Sequence, residues 1–84
     1  MKIYDADDSG ERLGSRAMAA YFKRYGQGAL YPTTPELVEL NGKEYVVLYN
    51  TNGILTIYRV IRSTRVLRAL KRYPKELVSH YNGE

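Results

Sequence analysis

Asn-Gly occurs twice in this chain, at Asn41-Gly42 and Asn52-Gly53, each time between runs of apolar and β-branched residues. Both residue types accept the positive φ that a tight type I′ turn demands, so the pair in this setting is a strong local signal for a β-hairpin. Two such signals with room for one strand between them predict an antiparallel meander in the middle of the chain. Its strands are Glu36 to Leu40, Lys43 to Asn50 and Ile54 to Ile61. If both turns are two-residue loops, alternation places Val38, Tyr45, Val47, Tyr49, Tyr58 and Val60 on one face. Leu37, Val46, Leu48, Leu55, Ile57 and Arg59 then occupy the other. A three-residue loop at Thr51 to Gly53 shifts the third strand by one position and exchanges its faces. Across the first hairpin Glu39 opposes Glu44, a like-charge pair that calls for exposure or a cationic neighbour such as Lys43.

The flanking segments carry the helical period instead. From Glu11 to Tyr25, the residues Leu13, Ala17, Met18, Tyr21, Phe22 and Tyr25 fall on one broad face, with Arg12, Ser15, Arg16 and Lys23 opposite. Asp8 or Ser9 is the expected N-cap, because a short side-chain oxygen there accepts orphan amide protons. Gly26 suits a left-handed C-cap, and Lys23 and Arg24 in the last turn suit the dipole. Gln27 to Pro35 reads as a connecting loop. After Ser63-Thr64, which supply another cap, Arg65 to Tyr73 reads as a second helix. Val66, Leu67, Leu70 and Tyr73 face one way on it, and Arg65, Arg68, Lys71 and Arg72 face the other. Pro74 ends this helix or opens a final turn through Leu77 and Val78.

The expected fold class is therefore α+β: a two-layer α-β-β-β-α arrangement, with a three-stranded antiparallel meander and both helices packed on one face. Residues 1–84 make one small domain, with 1–8 and 79–84 as flexible ends. In topology alone this order is similar to the double-stranded RNA-binding domain. The glycine-proline loop and the lysine pair of that family have no counterpart here, and no site residue is carried over.

Composition narrows the function. With no Cys among 84 residues, disulfides, thiolate nucleophiles and sulfur-ligated zinc are excluded. No membrane-spanning or signal-like run is present, which implies a soluble, cytoplasmic protein. The stretch Asp5-Ala6-Asp7-Asp8-Ser9-Gly10 begins like a calcium loop, yet the eighth position is Arg12 and the twelfth, where a bidentate Glu belongs, is Arg16. These acids read as a helix start, and no metal or cofactor is expected. His80 is the only histidine and falls in the expected tail, and no serine has an identifiable base, so enzymatic activity is not expected. Gly26-Gln27-Gly28 follows a helix rather than preceding one, the reverse of a phosphate loop.

The formal charge of +4 is unevenly spread. Asp5, Asp7, Asp8 and Glu11 cluster near the start, whereas Arg59 to Lys75 contains seven cations and no acid. A face made of Arg62, Arg65, Arg68, Lys71, Arg72 and Lys75 can follow a phosphate backbone, which points to a non-enzymatic module that binds nucleic acid. An acidic protein is the other partner such a stripe would draw. The alternative is a protein-interaction or regulatory module, joining another protein or a second copy of itself, that uses a sheet edge or the face bearing Tyr45, Tyr49 and Tyr58.

Overall fold

In a computed structural model of the chain, Asn41 and Gly42 adopt φ of 53° and 76°, the doubly positive geometry of the expected type I′ turn. They join β2 (Glu36–Leu40) to β3 (Lys43–Asn50) with Leu40 opposite Lys43, and Glu39 does oppose Glu44. The structure describes residues 1–8, 10–26 and 28–83, so Ser9 as a cap, the Gln27 of the connecting loop and Glu84 lie outside the described residues.

The second hairpin departs from the expected register. Its turn residues are Thr51 and Asn52, with Asn50 opposite Gly53, and the Asn50 side chain accepts the Asn52 amide at 2.8 Å. Tyr49 then faces Ile54 while Leu48 faces Thr56, which leaves Leu55 without a partner across the hairpin. This β-bulge shifts the rest of β4 (Gly53–Val60) by one residue, so that Val46 pairs with Tyr58 and Tyr45 with Arg59. The outcome equals that of a three-residue loop, but an extra residue inside the strand produces it.

Two further strands flank the meander. Lys2–Asp5, expected as a loose end, form β1 and pair antiparallel with β2. Leu67–Ala69 form β5 and pair antiparallel with the end of β4. The sheet thus has five strands in the order β1-β2-β3-β4-β5, rather than three. The expected helix over Arg65 to Tyr73 is absent because its apolar residues are claimed by the sheet edge. Leu67 pairs with Val60, the Leu70 amide donates to the Ile57 carbonyl at 3.0 Å, and Arg65 takes φ of 57°, which a helix cannot contain.

Helix α1 (Leu13–Tyr25) matches expectation, but its start does not. Arg12 occupies the cap position in a left-handed conformation without a side-chain cap bond. Asp7 supplies the oxygens instead: Oδ1 accepts the Ser15 amide at 3.0 Å and Oδ2 the Ser15 hydroxyl at 3.3 Å. Gly14 permits this approach, since a Cβ there would lie 3.1 Å from both Asp7 oxygens and from the Ala6 side chain. Helix α2 (Lys75–Asn82) begins after Pro74, where a missing N–H costs nothing, and runs through the segment expected to fray.

The two helices lie on opposite faces of the sheet, which corrects the two-layer arrangement. On one face Leu13, Ala17 and Tyr21 of α1 pack with Leu37, Val46, Leu48, Tyr58 and Val60. On the other, Leu77 of α2 packs with Val38, Tyr45, Val47 and Ile57, joined by Leu70, Tyr73 and Tyr81. The reason is apolar side chains on both faces of β3: Tyr45 through Leu48 form an unbroken buried run, which one covering layer cannot satisfy. Helices on opposite faces and a five-stranded sheet also remove the topological likeness to the double-stranded RNA-binding domain.

Candidate anion-binding cleft

Helix α2 is too short for the face it covers. Eight residues rise about 12 Å as a helix, whereas the eight residues of β3 or β4 extend about 27 Å. Its C-terminal end is tied to the start of β4 and the start of β2: Asn82 Oδ1 accepts the Ile54 amide at 2.8 Å, and the Tyr81 hydroxyl donates to Glu36 Oε1 at 2.7 Å. Burial and this bond push the Tyr81 phenol well above its ordinary pKa. The opposite end of the same face is left to Lys43, Arg59 and Arg68. Tyr45 belongs to the α2-side core, its partner Arg59 and Arg59's partner Arg68 share that face by register, and Lys43 lies two residues along β3.

Arg59 and Arg68 stand directly opposite each other on β4 and β5. Such a like-charge pair costs roughly 0.2–1 kcal/mol where no counter-charge intervenes. The pair opens onto a cleft of about 460 Å³, whose remaining lining comes from Ala69, Leu70, Lys71 and Arg72. Among the described residues the lining thus holds four cations and no acid. Arg59 is half-buried, and its Nε is enclosed with no acceptor among the described residues. Buried donors without a partner are uncommon in folded proteins and cost roughly 1–3 kcal/mol each. What this arrangement can do is hold anionic oxygens: guanidinium groups offer paired donors in a fixed fork, and none of the described lining residues repels phosphate.

The six cations singled out in the sequence do not form one stripe. Arg68, Lys71 and Arg72 meet at the cleft. Arg62 sits apart, its Nη2 donating to the Gly42 carbonyl at 3.1 Å beside the β2–β3 turn. Lys75, the first residue of α2, is exposed and outside the cleft lining. Arg65 is diverted altogether: its guanidinium binds Glu11 at 2.7 Å and Glu44 at 2.6 Å, while its carbonyl accepts Arg16 Nη2 at 2.8 Å. The bonds to Arg65 hold the Glu11 carboxyl below the usual range. Arg65 also supplies the cationic neighbour that Glu44 required, a role expected of Lys43. Arg59, absent from the expected site, is central to the cleft. In the sequence it heads the acid-free basic block, and the shifted register moves it to the face shared with Tyr45.

The tyrosine face does not exist as expected. Tyr45 and Tyr49 lie on the α2 side and Tyr58 on the α1 side, an exchange caused by the bulge at Leu55. Tyr45 and Tyr58 are 7% and 5% exposed, and Tyr49 is half-buried with its ring 4.8 Å from that of Tyr81. Burial raises the Tyr58 phenol pKa. Exposed apolar side chains lie elsewhere, singly at Met1, Tyr4 and Val66 and in sequence proximity at Tyr25, Leu30 and Tyr31, which are 53%, 61% and 73% exposed at the end of α1 and in the loop beyond it.

No helix of the described residues is long and apolar enough to cross a membrane, and no group of three or more His, Asp or Glu among them is placed to hold a metal ion. Asp5 and Asp7, of the stretch that begins like a calcium loop, have oxygens engaged locally: Asp5 Oδ1 accepts the Asp7 amide at 2.9 Å, and both Asp7 oxygens serve Ser15. Comparison with protein-family models, with curated proteins and with solved structures returns no match.

Proposed function

We propose that this chain is a small basic binding module that grips the phosphate backbone of nucleic acid, without catalysing a reaction, through the cleft formed by Arg59, Arg68, Lys71 and Arg72. One observation carries the reading: two arginines held directly opposite each other at a cleft with no acid among its described lining residues, an arrangement that costs stability in the unliganded chain and is relieved by an anion. Phosphate contacts of this kind position a strand without reading its sequence, so binding is expected to discriminate weakly among base sequences.

The test is fluorescence anisotropy with labelled duplex DNA, duplex RNA and single-stranded RNA at about 50 and about 200 mM salt. Engagement of one phosphate by each of the four cleft cations predicts that affinity falls about 50-fold for a single strand and about 150-fold for a duplex over that range. Arg59→Gln/Arg68→Gln should abolish binding. Absence of binding to every probe at the lower salt refutes the proposal.

The exposed Tyr25, Leu30 and Tyr31 favour a second reading, an interaction module that joins a second copy of itself. It predicts concentration-dependent association in sedimentation, insensitive to salt and lost in Tyr25→Ser/Tyr31→Ser. A monomer at all concentrations removes it.

A further inference from the structure

The cleft continues past Arg59. A second depression of about 290 Å³ adjoins it, and Arg59 lines both. Among the described residues, the other cations of this second depression are Lys43 and Arg62, and its only acid is Glu44. That carboxylate does not present its charge alone, because Arg65 Nη1 lies 2.6 Å from Glu44 Oε1. Arg65 is in turn fixed from the other side by both oxygens of Glu11, at 2.8 and 2.7 Å. Arg62 is likewise held in place, by the Gly42 carbonyl. The second depression is therefore also a positive one, walled by cations whose positions are set by the fold.

Lys43, Arg59 and Arg68 stand on three neighbouring strands of one face. At the usual strand spacing and rise, with Lys43 two residues along β3 from the level of Arg59, Lys43 and Arg68 are rooted about 12 Å apart, and the two depressions share Arg59 in their linings. A single small anion can fill one of these, not both. A linear polyanion can lie across them, with Arg59 between successive charged groups.

Building on the function proposed above, we infer that the two depressions form one track for at least two successive phosphates of a single nucleic-acid strand, running from Lys71 and Arg72 past Arg59 to Lys43 and Arg62. Arg65 touches no phosphate on this track. It is a positioning residue that neutralises Glu44 in the track wall.

The experiment is anisotropy with labelled oligothymidylates from about 2 to about 20 nucleotides long, bracketing the footprint of small strand-binding domains. Wild-type affinity should rise at least tenfold from the shortest to the longest. Lys43→Gln/Arg62→Gln, at two exposed positions, should leave the shortest probe bound as before while removing that gain. Loss of two phosphate contacts should also flatten the log–log salt dependence for the longest probe by about 1.4. Equal affinity for short and long probes, or a length gain that survives in this variant, overturns the track and leaves the cleft standing. Failure of wild type to bind at any length overturns both.

Discussion

Arg68→Glu is the substitution that most directly tests the physical basis of the cleft, because it should stabilise the protein while destroying its binding. In the wild type Arg68 faces Arg59 across β4 and β5. A directly opposed like-charge pair costs roughly 0.2–1 kcal/mol, and an opposite-charge pair gains about as much. The exchange is thus worth roughly 0.4–2 kcal/mol. Arg68 is exposed and water screens it, so the lower part of that range applies, about 0.5–1 kcal/mol. For a domain of this size, about 1 kcal/mol corresponds to a rise of roughly 4–8 °C in melting temperature. Urea and thermal unfolding should show the gain at about 50 mM salt, and it should shrink toward zero at about 1 M, where the screening length is about 3 Å. Anisotropy on the same preparation should show binding reduced by tenfold or more. A variant less stable than wild type, a stability gain indifferent to salt, or undiminished binding would each refute the view that the pair is kept for a ligand.

Other perturbations test the frame around the cleft. Gly53→Ala introduces a Cβ that overlaps Asn82 Oδ1, at a residue with φ of 117°, so it should lose both the Asn82 bond to Ile54 and the unstrained turn. The combined cost is about 2–3 kcal/mol in a urea titration, whereas Asn82→Ala alone should cost about 1 kcal/mol. Arg65→Gln should weaken nucleic-acid binding by exposing Glu44 to the track, and Glu44→Gln in the same chain should restore affinity without restoring the stability lost with the ion pairs. Stability should fall at both pH extremes. The Glu11 carboxyl titrates below its ordinary 4.5 in the folded state, so its contribution is complete above that value and is lost as pH drops through the lowered one. The Tyr81 phenol titrates above its ordinary 10.0, so its contribution is complete below pH 10 and is lost as pH climbs toward the raised value. Denaturant midpoints measured across pH should show the acid limb flattened in Arg65→Gln and the alkaline limb flattened in Tyr81→Phe.

Local chemistry with a short range was legible in the sequence. Asn41-Gly42 adopts the turn its residues demand, and the period of α1 is that of a helix with a broad apolar face. What escaped depended on partners distant along the chain. β1 has four residues, none of them buried, and becomes a strand only because β2 presents an open edge. The segment from Arg65 has helical spacing on a wheel, but β4 offers Leu67 and Ala69 a ladder, and tertiary pairing outweighs a weak intrinsic preference. The basic residues drew attention to the correct region and the wrong geometry. Arg65 was drawn away by Glu11 and Glu44, which precede it by 54 and 21 positions, and no local pattern announces such a pairing. Arg59 entered the site through register alone.

The bulge at Leu55 bears on how chains of this kind can vary. Continued without it from the pairing of Tyr49 with Ile54, the strand would set Arg59 against Glu44 and Tyr58 against Tyr45, sending Arg59 beneath α1 and Tyr58 beneath α2. Closing the bulge with Leu55 retained would therefore invert the inside and outside of the cleft, burying a cation and removing the centre of the anion site together, whereas deleting Leu55 would leave Thr56 against Leu48 and Arg59 against Tyr45 on their present faces. A related chain that lacks the odd residue should carry its charge on the same side of a regular hairpin, and one that keeps the residue must keep the bulge to hold its arginine out of the α1 core.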